Sequence, residues 1–250
     1  MTDPEIVVDP PPVAAASEPA ADLDGLTAVV RLTAVQHAYR RTVALRGVDL
    51  TVAAGEVVAV TGPSGCGKST LLHIAAGLLV PQAGSATLLG HDLTRLDADA
   101  RARLRRREVG IVLQFGQLVP ELTAVDNVAL PLLLDGAEPQ GARRLATDWL
   151  QRCGADEVAG TAPAEMSGGQ AQRVAVARAL VTGPRVVFAD EPTGSLDSLA
   201  GRQLLALMLD AVRDGGAALV IVTHDNTVAA RADREVRLVD GVVVSQAVLR

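Results

Sequence analysis

The sequence predicts an α/β fold built on a parallel sheet, and three observations carry that prediction. Three short valine-rich runs, Val57–Val60, Val186–Ala189 and Ala218–Val222, are apolar and almost unbroken. Runs that are apolar at every position suit strands covered by helices on both faces, and these are too short for most helices. Each run then ends in polar or glycine residues: a glycine-rich turn, Asp190-Glu191, and Thr223-His224-Asp225. Open α/β sheets bind ligands at that edge, beyond the carboxyl ends of the strands. Third, 250 residues of which 49% are hydrophobic suffice to bury a sizeable core.

The N-terminal segment is read first. Residues 1–30 hold six acidic residues (Asp3, Glu5, Asp9, Glu18, Asp22, Asp24), no basic residue and five of the 13 prolines. Such a segment buries little, so an acidic tail over residues 1–28 is expected, disordered up to about Leu26. The net charge of −6 belongs to this tail, because the remaining 220 residues carry 23 acidic and 23 basic side chains. The tail lacks the basic and apolar regions of a secretion signal. Cys66 and Cys153 form no CxxC pair and no disulfide framework, which fits a cytoplasmic, reducing location. No apolar run approaches the ~18–20 residues of a membrane-spanning helix. A net acidic chain is also a poor candidate for nucleic-acid binding by phosphate neutralisation.

Two helices are predicted between the first and second apolar runs. Asp97–Glu108 has acids first (Asp97, Asp99) and arginines later (Arg101, Arg103, Arg105, Arg106, Arg107), an order that suits the helix dipole. Gly110 is expected to end it, and the arginines are expected to form a solvated face. Residues 142–153 place Ala142, Leu145, Ala146, Trp149, Leu150 and Cys153 on one apolar stripe closed by Gly154, so Trp149 and Cys153 are expected in the core.

The chemistry begins after the first run. Gly62-Pro63-Ser64-Gly65-Cys66-Gly67-Lys68-Ser69 matches GxxxxGK[ST] and leads into an apolar helix starting near Ser69. Glycines let the backbone curl so that successive N–H groups converge on phosphate oxygens. The following helix offers free N–H groups and its positive end. Lys68 then reaches the β- and γ-phosphates of a nucleotide, and the Ser69 hydroxyl suits Mg²⁺. Cys66 reads as filler at a tolerant loop position, with redox sensitivity of the site as the alternative. Lys68 is the chain's single lysine among 23 basic residues. A planar guanidinium does not replace a compact ammonium in such a loop.

The second run ends in adjacent carboxylates. Asp190 suits holding Mg²⁺, directly or through water. Glu191 extends the other way along the backbone and suits polarising an attacking water. His224, at the end of the third run, is placed to sense the γ-phosphate.

Met166-Ser167-Gly168-Gly169-Gln170 resembles the LSGGQ signature of ABC-type ATPases. A short helix, Ala171–Leu180, separates it from Asp190, and Ser195-Leu196-Asp197 and His224 follow in that family's order. The resemblance covers about residues 29–245. It implies a P-loop NTPase with a RecA-like parallel-sheet core, an N-terminal antiparallel β subdomain and an inserted helical subdomain over about 115–180, within an ATPase domain over 29–250. It further implies that Tyr39 stacks on adenine, that Gly62 through Thr70 cradle ATP, and that Gln114 joins Ser69 and Asp190 around Mg²⁺ while coupling the site to a permease. Ser167, Gly168, Gly169 and Gln170 would contact the nucleotide held by a second copy, with Asp197 communicating across the dimer. The implied assembly is a homodimer closing head-to-tail over two ATP molecules, docked on separate integral membrane subunits at the inner face of the membrane.

Leu118-Val119-Pro120-Glu121-Leu122-Thr123-Ala124-Val125-Asp126-Asn127-Val128-Ala129-Leu130-Pro131 is similar to the segment found in the lipoprotein-releasing, macrolide-exporter and cell-division group, as is Asp190-Glu191-Pro192-Thr193-Gly194-Ser195-Leu196-Asp197. The implied function is an ATPase that powers export or extraction. The alternative is the regulatory ATPase of a cell-division-type signalling complex that transports nothing. Met166, Ala171, Leu113 and Ser195 depart from the family's usual residues without removing a catalytic group.

Overall fold

The computed structural model describes residues 28–114 and 117–249. The tail expected over residues 1–28 therefore lies outside the described residues except for Ala28, and Phe115 lies outside them too.

The chain opens with a hairpin of β1 (Ala28–Tyr39) and β2 (Thr42–Ala53). Then come β3 (Val57–Thr61), α1 (Lys68–Ala75), β4 (Ala83–Leu88) and β5 (His91–Asp92). Next, α2 (Ala98–Glu108) runs straight into β6 (Val109–Val112). Three helices follow: α3 (Ala124–Leu134), α4 (Pro139–Arg152) and α5 (Gly168–Leu180). The remainder comprises β7 (Val186–Asp190), α6 (Ser198–Asp214), β8 (Ala218–Val222), the short α7 (Asn226–Ala229), β9 (Arg234–Val239) and β10 (Val242–Val248).

These strands form two sheets. The antiparallel one has the order β2-β1-β4-β5, and the other has the order β10-β9-β3-β8-β7-β6. In the second sheet β9, β3, β8, β7 and β6 run parallel, and β10 adds an antiparallel edge. The three apolar runs are thus its adjacent central strands, and every residue of β3, β7 and β8 is buried.

Alternation along those strands divides the core in two. Val57 and Ala59, Val187 and Ala189, and Leu219 and Ile221 face the layer of α3 to α6. Val58 and Val60, Val186 and Phe188, and Val220 and Val222 face α1 and the antiparallel sheet. A strand that must satisfy two apolar layers has no polar side, which explains why these runs carry no period-2 pattern.

Three local expectations are corrected. Gly110 does not cap α2; it lies inside β6, because Val109 is already extended at φ −127°. Its glycine identity serves packing, since a Cβ there would sit 2.4 Å from the Ala179 carbonyl oxygen of α5. Gly110→Ala should destabilise the fold by about 1–3 kcal/mol through overpacking, seen as a lowered Tm. On α4, Ala142, Ala146 and Leu150 are buried, but Leu145 is 49% exposed and Trp149 only half-buried, with the Arg152 guanidinium 3.9 Å over its ring. The stripe is narrower than its spacing suggests, and Trp149 is a lid on the core. Cys153 is buried as expected, and burial pushes its thiol up to about 12.

The arginines of α2 are not simply solvated. Arg105 donates to the Gly77 carbonyl at 2.6 Å, while Arg106 and Arg107 hold Asp135 at 3.2 and 2.7 Å. Arg105 ties α2 to the turn after α1, and Arg106 and Arg107 tie it to the end of α3, contacts between segments too far apart in sequence for periodicity to reveal.

Candidate functional site

Parallel register brings the polar strand ends to one edge. Val60 of β3 pairs with Val222 of β8, and Val222 pairs with Asp190 of β7. The loops that leave this edge enclose a cavity of about 370 Å³ lined by Ser64, Gly65, Lys68, Ser69, Gln114, Asp190, Glu191, Gly194, Ser195, Val222 and His224. Lys68, Ser69, Asp190, Glu191, Gln114 and His224, all singled out from the sequence, meet there.

The β3–α1 loop is held open by its glycines. Gly62, Gly65 and Gly67 have φ of 144°, 77° and 106°. Two of them also sit against neighbouring backbone: a Cβ on Gly62 would lie 2.0 Å from the Leu238 carbonyl oxygen, and one on Gly67 2.3 Å from that of Ala44. Cys66 is buried, and its carbonyl accepts the Gly241 amide at 3.0 Å. The loop is therefore clamped between β2 and the β9–β10 turn. The α1 N-terminus has no side-chain cap and no acid in its first turn, so its amides and positive end are left to an anion. Lys68 is buried, with Nζ donating to the Gly62 and Pro63 carbonyls at 2.9 Å each. A buried ammonium beside a ring of amides fits a polyphosphate. Thr70, one residue past Ser69, is buried within α1.

Asp190 is buried, and its carboxylate accepts a hydrogen bond from Ser69. Burial pushes its carboxyl above the usual range; Ser69, His73 and Lys68 oppose that, and the charge of Glu191 adds to it. A hydroxyl and a desolvated carboxylate, both hard oxygen donors, fit Mg²⁺, which takes few protein ligands when phosphates supply the rest.

Glu191 follows Asp190 in the left-handed region at φ 47°, its amide donating to the Val222 carbonyl at 2.9 Å. This turn aims its side chain at the end of β8. Oε1 accepts the His224 amide at 3.1 Å and faces His224 Nδ1 at 2.7 Å; Oε2 accepts the Thr223 hydroxyl at 3.3 Å. His224 remains 75% exposed while Glu191 is 14% exposed. A shielded carboxylate held beside an exposed imidazole is an arrangement that can take up and pass on a proton.

Other predicted residues lie outside the cavity lining. Tyr39 is 47% exposed at the tip of the β1–β2 hairpin, edge-on to His37 with centroids 4.8 Å apart. The same hairpin supplies Ala44 and Leu45, which abut Gly67. Ser167 caps α5: its Oγ accepts the Gln170 amide at 3.2 Å, and Gln170 Oε1 accepts the Ser167 amide at 2.8 Å. Gly168 and Gly169 pack against Ser195 and Leu196, and a Cβ on Gly169 would approach Leu196 Cδ2 to 2.9 Å. Asp197 caps α6 through the Leu199 and Ala200 amides, both at 2.9 Å, and accepting from the Ala200 and Leu199 amides holds its carboxyl below the usual range. Within one chain the signature residues do not line the Lys68 cavity; Gly168 reaches it only through Ser195, whose hydroxyl donates to the Gly168 carbonyl at 3.4 Å.

Two functional neighbours escape a reading of the sequence. Thr223 stands there only as part of a polar strand end. Asn127, fully buried in α3, accepts the Val119 amide at 2.7 Å and donates to the Val119 and Leu122 carbonyls, pinning the segment 119–122 ahead of α3. A polar residue on the inner face of an apolar helix is its available signal.

Comparison with known proteins follows the same lines. A family profile described as ABC transporter matches residues 45–194. The chain is 46% identical over 227 residues to the lipoprotein-releasing system ATP-binding protein LolD of Cereibacter sphaeroides, covering 89% of this chain and 97% of that protein. It is 47% identical over 206 residues to the macrolide export ATP-binding/permease protein MacB 1 of Aeromonas hydrophila, covering 82% of this chain but 32% of that longer protein. A dimeric, post-hydrolysis structure of the ATP-binding cassette MJ0796 bound to ADP and Pi superposes with a TM-score of 0.86 at 37% identity, covering 88% of this chain and 99% of that one.

Proposed function

The chain belongs to the ABC transporter family, and from that premise we propose how its residues power transport. It is the ATP-binding, ATP-hydrolysing subunit of a membrane ABC transporter, working as a dimer with membrane permease subunits. Export or extraction is the reading favoured by its likeness to LolD and MacB. The ATPase domain spans about 29–250, with the helical part inserted over about 115–180.

One observation carries the assignment of roles: Lys68, Ser69, Asp190, Glu191, Gln114 and His224 converge on a single cavity at the carboxyl edge of the parallel sheet. The amides of Gly62 to Thr70 and the Lys68 ammonium bind the triphosphate. Ser69, Asp190 and Gln114 hold Mg²⁺, which when bound neutralises phosphate charge. Glu191 orients a water and takes its proton, and His224 steadies the γ-phosphate side. Ser167, Gly168, Gly169 and Gln170 serve the site of the second copy, supported by their absence from the lining of the Lys68 cavity of their own chain. Asp197, at the start of α6, holds the segment between the two motifs and lies at the dimer junction.

Among the described residues no helix is long and apolar enough to cross a membrane. The permease provides the attachment at the inner face of the cell membrane. Purification from membranes with crosslinking tests this: the expected outcome is a complex with an integral membrane subunit whose presence raises the ATPase rate, and recovery of the ATPase without such a subunit overturns it.

Tyr39 is assigned to adenine. Tyr39→Ala should weaken ATP binding by ~1–3 kcal/mol while leaving affinity for inorganic triphosphate unchanged, as measured by calorimetry. Equal ATP affinity in the variant rejects the stacking role.

A further inference from the structure

We infer that Thr223 is a positioning residue for hydrolysis, setting the side chain of Glu191 through a hydroxyl whose direction is fixed by the fold. The inference rests on the assignment of Glu191 as the group that activates water.

Thr223 is 1% exposed and lies one residue past β8. Its amide donates to the Val60 carbonyl at 3.1 Å, which anchors it to the strand leading into the phosphate loop. Its Oγ1 accepts the Asp225 amide at 3.1 Å. A hydroxyl has one proton and two lone pairs. With the amide occupying a lone pair on one side, the proton is turned to the other, where Glu191 Oε2 lies at 3.3 Å. The rotor thus becomes a fixed donor.

That fixation matters because of where Glu191 sits. Its backbone is left-handed at φ 47°, a region a non-glycine residue occupies only when its surroundings hold it there. The backbone bond to Val222 sets the turn, and the side-chain orientation needs its own restraints. His224 supplies two on Oε1, one from its amide and one from its ring; the ring is 75% exposed, and on the assignment of His224 to the γ-phosphate it is the restraint that leaves when nucleotide binds, so the amide alone remains on Oε1. Thr223 on Oε2 is buried and keeps its place. It holds the carboxylate plane while the histidine changes partner.

The test pairs Thr223→Val, which keeps the shape and removes the hydroxyl, with Thr223→Ser, which restores it. Thr223→Val should lower kcat by about 10–100-fold, the scale of one lost hydrogen bond to a charged group, while KM and ATP affinity stay within about 2-fold of the parent. Thr223→Ser should recover most of the rate. In the Glu191→Gln background, adding Thr223→Val should change the residual rate by less than about 2-fold, because the oriented base is already gone. A parental kcat in Thr223→Val alongside a crippled Glu191→Gln overturns the Thr223 role alone; a parental rate in Glu191→Gln overturns the assignment of the base beneath it. Should Thr223→Val not fold, Thr223→Ala is read in the same cycle. Equal losses in the parent and Glu191→Gln backgrounds, or a loss that serine does not repair, mark Thr223 as merely structural.

Discussion

Glu191→Gln should bind ATP as the parent does, hydrolyse it roughly 10²–10⁴-fold more slowly, and accumulate as an ATP-bound dimer. The substitution swaps one carboxylate oxygen for an NH₂ group and changes little in volume. The amide oxygen can still accept from the His224 backbone, so the turn at the end of β7 and the pocket shape survive. What is lost is the capacity to take a proton from water. Binding should persist because the proposed triphosphate ligands, Lys68 and the loop amides, are groups other than Glu191. A dimer that closes on ATP and hydrolyses it this slowly loses its main route to reopening and accumulates. Steady-state phosphate release, ATP affinity and light scattering of the ATP-loaded variant check the three parts. Hydrolysis at the parent rate removes Glu191 from the role.

Lys68→Ala should abolish hydrolysis and weaken ATP binding by about 2–5 kcal/mol, the scale for truncating one partner of a buried charge pair. Lys68 is buried among carbonyls, with two bonds from Nζ to Gly62 and Pro63 at 2.9 Å. Removing it strips a partner from each of those carbonyls, although Pro63 still accepts the Cys66 amide at 3.3 Å, and takes the positive charge from the cavity. Lys68→Arg should fail as well, because a planar fork in so tight a loop does not present a point charge. The chain has arginine at its other 22 basic positions and lysine here alone. Calorimetric titration with ATP, alongside circular dichroism to show that the fold persists, separates this result from unfolding. Parental ATP affinity in Lys68→Ala would displace Lys68 from the phosphates.

How much is legible in the sequence depends on sequence distance. The phosphate loop spans eight consecutive residues, so spacing alone places Lys68 and Ser69 on the loop and helix start. Asp190 and Glu191 are legible because an apolar run points to them. Gly110 misleads: a glycine after an arginine-rich helix looks like a cap, and only the closeness of Ala179 shows that it admits α5 against β6. Leu145 misleads because a stripe on a helical wheel does not say how wide the neighbouring surface is. The arginines of α2 look solvated because the partner of Arg106 and Arg107, Asp135, lies beyond β6 and the whole of α3.

By itself the sequence determined the fold class, the order of the motifs and the chemical type of each site residue, since short-range spacing and apolar runs are local properties of the chain. The tertiary structure decided which of those residues meet. Parallel register sets Val60, Val222 and Asp190 side by side. The left-handed turn at Glu191 then swings its carboxylate onto Thr223 and His224, across more than thirty residues of chain. It also left Ser167, Gly168 and Gly169 outside the cavity of their own chain. Those placements depend on strand pairing, on backbone conformation at single residues and on packing between distant segments, none of which a local pattern encodes.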